Sequence, residues 1–451
     1  MRHRTAHWLF TALLLFALAA SAQTSLTLEQ AVRTALEQNP SRKAVVFEQH
    51  AAAADTKLAR SSLLPRIGFG EGYQRGNDPV FVFGGKLRQQ RFTTSDFSLN
   101  LLNTPTPFGN FATRFSGQWQ LFDSGVSWLS LRQAKQLNTV AQRTLERTDQ
   151  ELVMRVVDAY AGLLLAIKQQ QVAEDAVKTS GSILERSRAN VQAGMVVESD
   201  QLSALVNDAA RQEELIRARN SVALARAQLN HDMGVPPDTQ YEAVELLTER
   251  SLPPVDLKEL EKRALDRRPD LQGLTLRKAI QGDEVRAAKA AFGPRLNAIA
   301  NWEMDNPHFN GGGGNNWLAA FELQVDLFNG GAKLARLDRE RALKGRIDAL
   351  HDAAIHSIRL EVRKAYLDFD SARQQVEVAR AAVGQAHESL RIGQNRYESG
   401  LSTITDLLRM EEAALRAEAD YSQSLYRLRT SYASLELAAG TLDLNSPVIK
   451  Q

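Results

Sequence analysis

The sequence predicts a mainly α-helical fold with a small β part, in which one unit of long coiled-coil helices and β-hairpins occurs twice. The duplication is visible in motifs that recur at fixed offsets. Two recur 229 residues later, namely Ala35–Pro40 as Ala264–Pro269 and Leu64–Ile67 as Gly293–Leu296. Three recur 206 residues later, namely Leu121–Gly125 as Leu327–Gly331, Ala159-Tyr160 as Ala365-Tyr366, and Gly194…Asp200 as Gly400…Asp406. The halves therefore differ by a net insertion of 23 residues between Pro65 and Phe122.

The first 22 residues have the features of a secretory signal peptide. Arg2 and Arg4 form a positive start, an apolar stretch follows, and Ala20-Ser21-Ala22 fits a cleavage site. A membrane anchor is the weaker alternative, because the apolar stretch is shorter than the roughly 20 residues that a spanning helix needs. We therefore expect an exported protein.

The composition excludes several classes of protein. The chain has 55 Lys and Arg against 53 Asp and Glu, so removal of Arg2 and Arg4 leaves a net charge of zero. A nucleic-acid partner needs a basic surface and is not expected. The chain has no cysteine, which excludes disulfides and cysteine metal sites. No later segment resembles an apolar spanning helix, so a membrane crossing would have to use strands.

Each half is predicted to open with two helices and a pair of strands. Thr27 and Asp256 are N-cap residues, and Pro40 and Pro269 interrupt the helices that they begin. The strands are predicted at about 66–75, 111–122, 295–304 and 317–327, from side chains that alternate between apolar and polar. The second hairpin closes through a run of glycines, and the first through a long loop, 75–110, that is rich in phenylalanine.

Each half is predicted to end in two helices of coiled-coil length. Residues from about 125 to 192 and from 332 to 398 contain no proline, and either run would be on the order of 100 Å long. Gly194 and Gly400 break these runs, and shorter helices return to about 231 and 439. The predicted organisation is a signal peptide (1–22), a first repeat (23–233), a linker (234–256), a second repeat (257–440) and a C-terminal tail (441–451).

Four alternating strands of about ten residues match the length of tilted transmembrane strands. A half-buried sheet in a soluble protein is the alternative, but the export signal and the long helices favour the membrane. Single-chain membrane barrels begin at about eight strands, so four strands must be completed by other copies of the chain. Three copies would give twelve strands. The predicted lipid-facing residues are Phe115, Trp119, Leu121, Phe321, Leu323 and Val325.

The order of these motifs resembles that of the TolC-like outer-membrane efflux and secretion channels. The resemblance rests on Leu28…Ala31…Ala35-Leu36…Asn39-Pro40, Leu64-Pro65-Arg66, the two strand exits at Leu121–Gly125 and Leu327–Gly331, Arg396–Gly400 and Asp406-Leu407-Leu408. It covers nearly the whole mature chain. No single motif is specific, but their duplicated order is.

The resemblance implies a homotrimer with a twelve-stranded β-barrel in the outer membrane, continuous with an α-helical barrel in the periplasm. The linker and the chain ends would form a belt around the helical barrel. The turns after the long helices, marked by Gly194 and Gly400, would be the periplasmic tips, where a periplasmic adaptor of an inner-membrane pump docks. The loop 75–110 is then expected outside the cell, with its aromatics over the barrel mouth or against each other.

The resemblance also implies roles for individual residues at the tips. Asp406 occupies the position of an acid that lines the pore constriction, and Arg409 replaces a second acid of the prototype channel. Asp200, Tyr397 and Ser402 occupy positions whose contacts hold the aperture shut, although the prototype has arginine in place of Ser402. The residues also allow simpler interpretations, since Asp406 suits a helix N-terminus and Tyr397 suits packing between helices. On a helix, Arg409 is expected close enough to pair with Asp406.

Motifs of enzymes are absent from the sequence. His351 and His356 lack the pattern of a zinc protease, and Gly84-Gly85-Lys86 lacks the rest of a P-loop. We therefore predict no catalytic residue, no cofactor and no metal. The predicted function is a passive outer-membrane channel in a tripartite efflux pump or type I secretion system. The alternative is a soluble periplasmic scaffold or adaptor, which has no use for amphipathic hairpins.

Overall fold

The structure, a computed structural model, describes residues 24–249 and 252–450. The predicted signal peptide lies outside the described residues. The chain divides into two compact units, each of which is described by itself. The helical unit consists of the described parts of Met1–Phe47, Arg143–Gln272 and Ala353–Gln451, and the sheet unit of Glu48–Gln142 and Gly273–Asp352.

The described elements follow the predicted order. The helices are α1 (Leu28–Gln38), α2 (Pro40–Ser61), α3 (Pro79–Arg88), α4 (Leu99–Asn103), α5 (Val126–Gln192), α6 (Glu198–Met233), α7 (Leu257–Arg267), α8 (Pro269–Ala290), α9 (Ala332–Glu398) and α10 (Ile404–Ala438). The strands are β1 (Thr24–Leu26), β2 (Arg66–Gly76), β3 (Phe108–Phe122), β4 (Tyr241–Ala243), β5 (Arg295–Asn306) and β6 (Gly314–Gln324). A short 3₁₀ helix spans Thr94–Phe97.

The element bounds repeat at the two offsets found in the sequence. Helices α2 and α8 have 22 residues each, and α8 begins 229 positions after α2. Helices α5 and α9 have 67 residues each, and α9 begins 206 positions after α5. The mainly helical, duplicated fold class is therefore confirmed.

Two sequence expectations are corrected by the structure. The loop 75–110 contains α3, the 3₁₀ helix and α4. Helix α3 starts there because Asp78 accepts a hydrogen bond from the Phe81 backbone N–H and Pro79 suits the first turn. The last strand was expected to reach about residue 327, but β6 ends at Gln324. Beyond it, Asp326 forms ion pairs with Arg295 and Lys333.

In the sheet unit, the four strands form an antiparallel sheet in the order β2-β3-β5-β6. The central pairing joins β3 of the first repeat to β5 of the second, from Phe111 opposite Asn306 to Phe122 opposite Leu296. The two hairpins therefore form one sheet, and β2 and β6 are its outer strands among the described residues.

In the helical unit, the linker and the first and last described segments of the chain pack into the main hydrophobic core. Strand β1 pairs in parallel with β4 of the linker. The buried Glu245 carboxylate accepts hydrogen bonds from the Leu28 backbone N–H at 3.0 Å and from Arg429 at 2.7 Å. Val448 and Ile449 of the C-terminal tail are fully buried. The first and last described segments of the chain are therefore fixed in one core.

A closely packed joint occurs once in each repeat of the helical unit. Gly234 ends α6 with a φ of 76°, and a Cβ there would lie 2.7 Å from the Cα of Asn39. Gly440 follows α10 with a φ of 71°, and its Cβ would lie 3.0 Å from the Cα of Arg268. The Asn39 amide donates to the Asp232 carbonyl at 2.9 Å, so the joint also caps α6. Glycine is required here by backbone conformation and by space.

We predict that Gly234→Ala lowers the melting temperature more than Gly194→Ala does. Both residues have a positive φ, which costs a Cβ-bearing residue roughly 1–2 kcal/mol. Only Gly234 adds a clash, worth about 1–3 kcal/mol, because Gly194 has open space around it. Thermal unfolding of both variants in detergent, followed by tryptophan fluorescence, measures the difference. Equal melting temperatures would contradict the close packing at Gly234.

We also predict that Glu436 makes the stability of the helical unit depend on pH. Burial beside the C-terminal tail raises the pKa of this carboxyl to about 7, against an opposing hydrogen bond from Ser446. The folded protein therefore keeps a proton that the unfolded chain releases near pH 4.5, and stability falls as the pH rises from about 4.5 to 7. In Glu436→Gln this part of the loss should vanish. A pH series of melting temperatures tests it, and identical curves for both proteins would refute it.

Candidate functional site

Two regions carry the candidate functions, the sheet of the sheet unit and the helix turns of the helical unit. None of the helices that the structure describes is long and apolar enough to cross a membrane. Within the described part of the chain, no group of three or more His, Cys, Asp or Glu residues is arranged to hold a metal ion. His351 instead lies 3.2 Å from the Thr275 hydroxyl.

One face of the sheet is apolar across all four strands. Phe69, Phe115, Trp302 and Trp317 occupy one row of directly paired positions. The Phe115 ring lies 5.2 Å from that of Phe69 and 5.8 Å from that of Trp302. Neighbouring rows of the same face contain Ile67, Ala300, Ala319, Trp119, Ala298 and Phe321. Because side chains alternate along a strand, this register places the apolar residues of both repeats on the same side.

This apolar face is exposed in the single chain. Trp317 is 77% exposed and Phe321 is 75% exposed, far more than is usual for aromatic residues of a sheet. A contiguous apolar surface of this kind marks contact with a membrane or with another protein. The face therefore needs a covering that the single chain does not provide.

The predicted lipid-facing set is confirmed as one face for Phe115, Trp119, Phe321 and Leu323. The prediction for Leu121 is corrected. The register shifts between Gln120 and Phe122, so Phe122 rather than Leu121 lies opposite Leu296. Val325 lies beyond the end of β6. Contact of this face with lipid remains a prediction.

The opposite face of the sheet is polar and has small residues. Strand β2 contributes Gly68, Gly70 and Gly72 to it. The Glu303 carboxylate accepts a hydrogen bond from Arg114 at 2.8 Å across the β3–β5 pair. The sheet therefore has one side suited to an apolar medium and one side suited to water.

In the helical unit, the turns at the ends of the long helices are built alike in both repeats. Gly194 and Gly400 have φ angles of 69° and 70°. The Met195 N–H donates to the Asn190 carbonyl at 2.9 Å, and the Leu401 N–H to the Arg396 carbonyl at 2.8 Å. These bonds are those of the Schellman motif, which ends a helix with glycine in the left-handed conformation. The two predicted tip glycines are thus placed at equivalent helix ends.

The helices that follow these turns start differently. Thr403 and Asp406 form a capping box, in which the Thr403 hydroxyl accepts from the Asp406 N–H at 3.2 Å and donates to its carboxylate at 2.8 Å. Val197 takes the equivalent position in the first repeat and supplies no side-chain cap. Asp200 still lies in the first turn of α6, where its charge favours the helix dipole.

The expected ion pair between Asp406 and Arg409 is wrong. Among the ion pairs of the described residues, none joins these two side chains, because the carboxylate is turned back toward Thr403. Hydrogen bonds from Thr403 lower the pKa of Asp406, and the charge of Arg409 adds only a smaller effect. Asp406 is therefore ionised and partly exposed at the start of α10.

Tyr397 packs inside the tip of the single chain. It is 7% exposed and forms a small core with Ile183, Leu184, Ile404 and Leu407, among others. Burial raises the pKa of its hydroxyl and the charge of Asp200 raises it further, while the hydroxyl oxygen has no hydrogen-bond partner among the described residues.

The charge of Asp200 thus acts on the Tyr397 hydroxyl within the single chain. Ser402 lies in the turn between α9 and α10. Its hydroxyl is buried and has no hydrogen-bond partner in the single chain. Closure of an aperture by these three residues remains a prediction.

A buried polar layer between α6 and α10 was missed by sequence reasoning. Glu411 is 1% exposed, and its carboxylate accepts a hydrogen bond from Asn207 at 3.2 Å. Burial raises the pKa of Glu411, against the charge of Arg211. In α5 and α6, Ser180 donates to the buried Asp208 at 2.7 Å. Long helices carry many polar residues, and nothing in the sequence distinguishes the few buried ones from those that face solvent.

A two-faced sheet shared by two repeats, joined to paired long helices with glycine turns, defines the class of TolC-like channel proteins. The profile of the outer membrane efflux protein family matches residues 31–235 and 260–441, and the chain belongs to this family. Members of this class are outer-membrane channels of efflux pumps and type I secretion systems that reach into the periplasm, and this is the function class and location of the chain.

Individual proteins agree with this assignment. The alkaline protease secretion protein AprF of Pseudomonas aeruginosa is 26% identical over 97% of this chain and 88% of its own length. The outer membrane protein TolC of Escherichia coli is 22% identical over 92% of this chain and 82% of its own. The crystal structure of the Campylobacter jejuni CmeC outer membrane channel is similar in fold, with a TM-score of 0.78, 17% identity, and coverage of 96% of this chain and 92% of that one.

We predict that the two tips differ in local stability because only one has a side-chain cap. Thr403→Ala removes a cap worth about 0.5–2 kcal/mol and should speed hydrogen exchange at the first amides of α10. Val197→Thr supplies the missing hydroxyl three residues before Asp200 and should slow exchange at the first amides of α6. Peptide-resolved hydrogen exchange measures both, with each tip as the control for the other. Unchanged exchange in both variants would contradict the capping assignment.

Proposed function

We propose that the chain forms a homotrimer whose sheets close into one twelve-stranded barrel in the outer membrane and whose helices form a conduit in the periplasm. The observation that supports this most directly is the open sheet with one continuous apolar face. Its outer strands, β2 and β6, expose backbone donors and acceptors, and lipid offers them no partners. Pairing of β6 of one copy with β2 of the next satisfies both edges.

Closure of the barrel would also place each face of the sheet in a suitable environment. The apolar face with Trp317 and Phe321 would contact lipid, and the polar face with Arg114 and Glu303 would surround water. Twelve strands leave a lumen wide enough for solutes. The chain would act as a passive channel without a catalytic step, as a conduit for substrate delivered from the periplasmic side.

At the other end of the pathway, the helix turns at Gly194 and Gly400 are proposed as the docking site of a periplasmic adaptor, which connects the channel to an inner-membrane pump. Three copies of Asp406 would line the constriction there and favour cations. Since Asp406 is held by Thr403 and Arg409 does not pair with it, the acid stays available to the pore. Asp200, Tyr397 and Ser402 are proposed to hold the aperture in its closed state.

A pair of arginine substitutions on β6 tests the proposed faces. Phe321→Arg places a charge on the apolar face, which costs roughly 2–4 kcal/mol per copy near the bilayer midplane. Leu318→Arg makes the same change from a large apolar residue on the polar face, three positions away. We expect Phe321→Arg to abolish outer-membrane trimers and Leu318→Arg to keep them, measured by fractionation and native electrophoresis.

Other outcomes would contradict the proposal in distinct ways. Equal trimer yields for the two arginine variants would show that the faces are wrongly assigned. Recovery of the unmodified protein in the periplasmic supernatant would instead favour the alternative, a soluble scaffold or adaptor.

A further inference from the structure

Helix α3, which lies in the region of the insertion found in the sequence, is anchored on the polar face of the sheet. Arg88 at its end donates to Glu303 at 3.0 Å, on the same face as Arg114. A Cβ on Gly314 of β6 would collide with the Arg88 backbone, and one on Gly85 would meet the ring of Phe108. Positions 108 and 314 both belong to the polar face by register. The side-chain and the backbone contacts therefore both place α3 on the polar face of the sheet.

The anchor continues through a buried polar chain at the end of the strands. The Gln89 amide donates to Asn110 at 2.7 Å, and the Asn110 amide donates to Asp305 at 2.5 Å. All three residues are at most 6% exposed. Gln89 Oε1 and Asp305 Oδ2 are buried without a hydrogen-bond partner among the described residues, so the network orients the end of α3 without satisfying all of its buried oxygens. The helix is held at its C-terminal end, where the hairpin strands stop.

The side of α3 that faces away from the sheet is apolar. Val82, Gly85 and Gln89 are buried against the sheet at helical spacing. Val80 and Leu87 lie on the other side and are 79% and 48% exposed. An isolated soluble surface helix would have the reverse pattern. The exposed side therefore needs a partner.

The segment after α3 packs against one edge of this surface, at Phe83. The rings of Phe83 and Phe92 lie 4.9 Å apart, and those of Phe92 and Phe97 5.2 Å apart, both edge to face. Lys86 forms a 2.7 Å ion pair with Asp96. The segment after α3 thus supports the helix, and the apolar side is presented as a rigid surface.

The proposed barrel determines what this surface meets. Twelve strands about 4.8 Å apart and tilted by about 40° give a circumference of roughly 75 Å and a radius of about 12 Å. A helix with its side chains is about 10–12 Å across. A helix attached to the inner wall therefore reaches the three-fold axis. Three such helices occupy most of the cross-section, and their far sides come together.

We propose, resting on the trimer of the proposed function, that the α3 helices of three protomers meet through Val80, Phe83 and Leu87 and close the extracellular mouth of the channel. The occupant of the apolar surface is thus the same surface of the other two copies. The mouth would be sealed by apolar packing at the axis and by the Arg88–Glu303 ion pair at the wall. This gate is separate from the constriction at the helix turns.

Cysteine cross-linking tests the contact at the axis. Because the chain has no natural cysteine, only the introduced thiol can form a disulfide. Val80→Cys should give a disulfide-linked dimer upon oxidation of membranes, with one chain of each trimer left unpaired. Leu318→Cys is the matched control, since it lies on the polar face but on the wall, where copies are farther apart than the roughly 7 Å limit for a disulfide. Native electrophoresis confirms the trimer of each variant independently.

Labelling from outside the cell tests closure. A small, membrane-impermeant thiol reagent should not reach Gln118→Cys, which lies on the polar face deep in the barrel. It should reach this cysteine when Val80 and Leu87 are both changed to Asp, because the like charges separate the helices. The exposed Thr104→Cys in the loop should be labelled in both backgrounds.

The outcomes separate this inference from the function on which it rests. A membrane trimer in which Val80→Cys does not cross-link, or in which Gln118→Cys is labelled equally in both backgrounds, overturns the gate and leaves the channel intact. Free labelling of Val80→Cys in such a trimer would assign the surface to an external partner instead. Absence of any trimer for the unmodified chain overturns the channel itself.

Discussion

The pairing of β3 with β5 is the interaction on which the rest of the structure depends. It is the central pairing of the sheet and it joins the two repeats, so each repeat contributes one hairpin to one continuous surface. Its register sets Phe115 beside Trp302 and therefore decides that the apolar residues of both hairpins share a face. A shift by one residue would mix apolar and polar residues on each side and leave neither face suited to lipid or to water.

The repeats are alike where packing demands it and different where function permits it. The joints at Gly234 and Gly440 are equivalent because both place a left-handed glycine against the break between two helices, and no other residue fits that space. The tips are less constrained. Their Schellman turns are the same, but Thr403 caps its helix and Val197 does not. One tip of each chain is consequently the weaker start of a helix, which would give the proposed trimer two kinds of tip.

Most of the fold was predictable from the sequence because long periodic segments carry their own signal. The 67-residue helices and the alternating strands were placed to within a few residues, and the repeat offsets were reproduced by the element bounds. The errors lie where tertiary contacts decide. Helix α3 has its apolar side away from the sheet. Its sequence therefore lacks the usual pattern of a surface helix and is interpreted as part of a loop rich in phenylalanine. The partner of Asp406 is the nearby Thr403 rather than the opposite charge of Arg409, since the capping geometry was available within one turn. Burial of Glu411 depends on α6 and has no local signature.

The restriction of the insertion to one repeat follows from the size of the proposed lumen. The second hairpin closes through residues 307–313 between β5 and β6, and Gly314 at the start of β6 lies directly against the backbone of Arg88. A second inserted helix would need the space that α3 already occupies. In a trimer it would also bring six helices into a lumen of about 12 Å radius, where about three fit. One hairpin therefore keeps a short turn while the other extends over the polar face, and in the proposed trimer this asymmetry would give a three-fold arrangement of one helix per protomer.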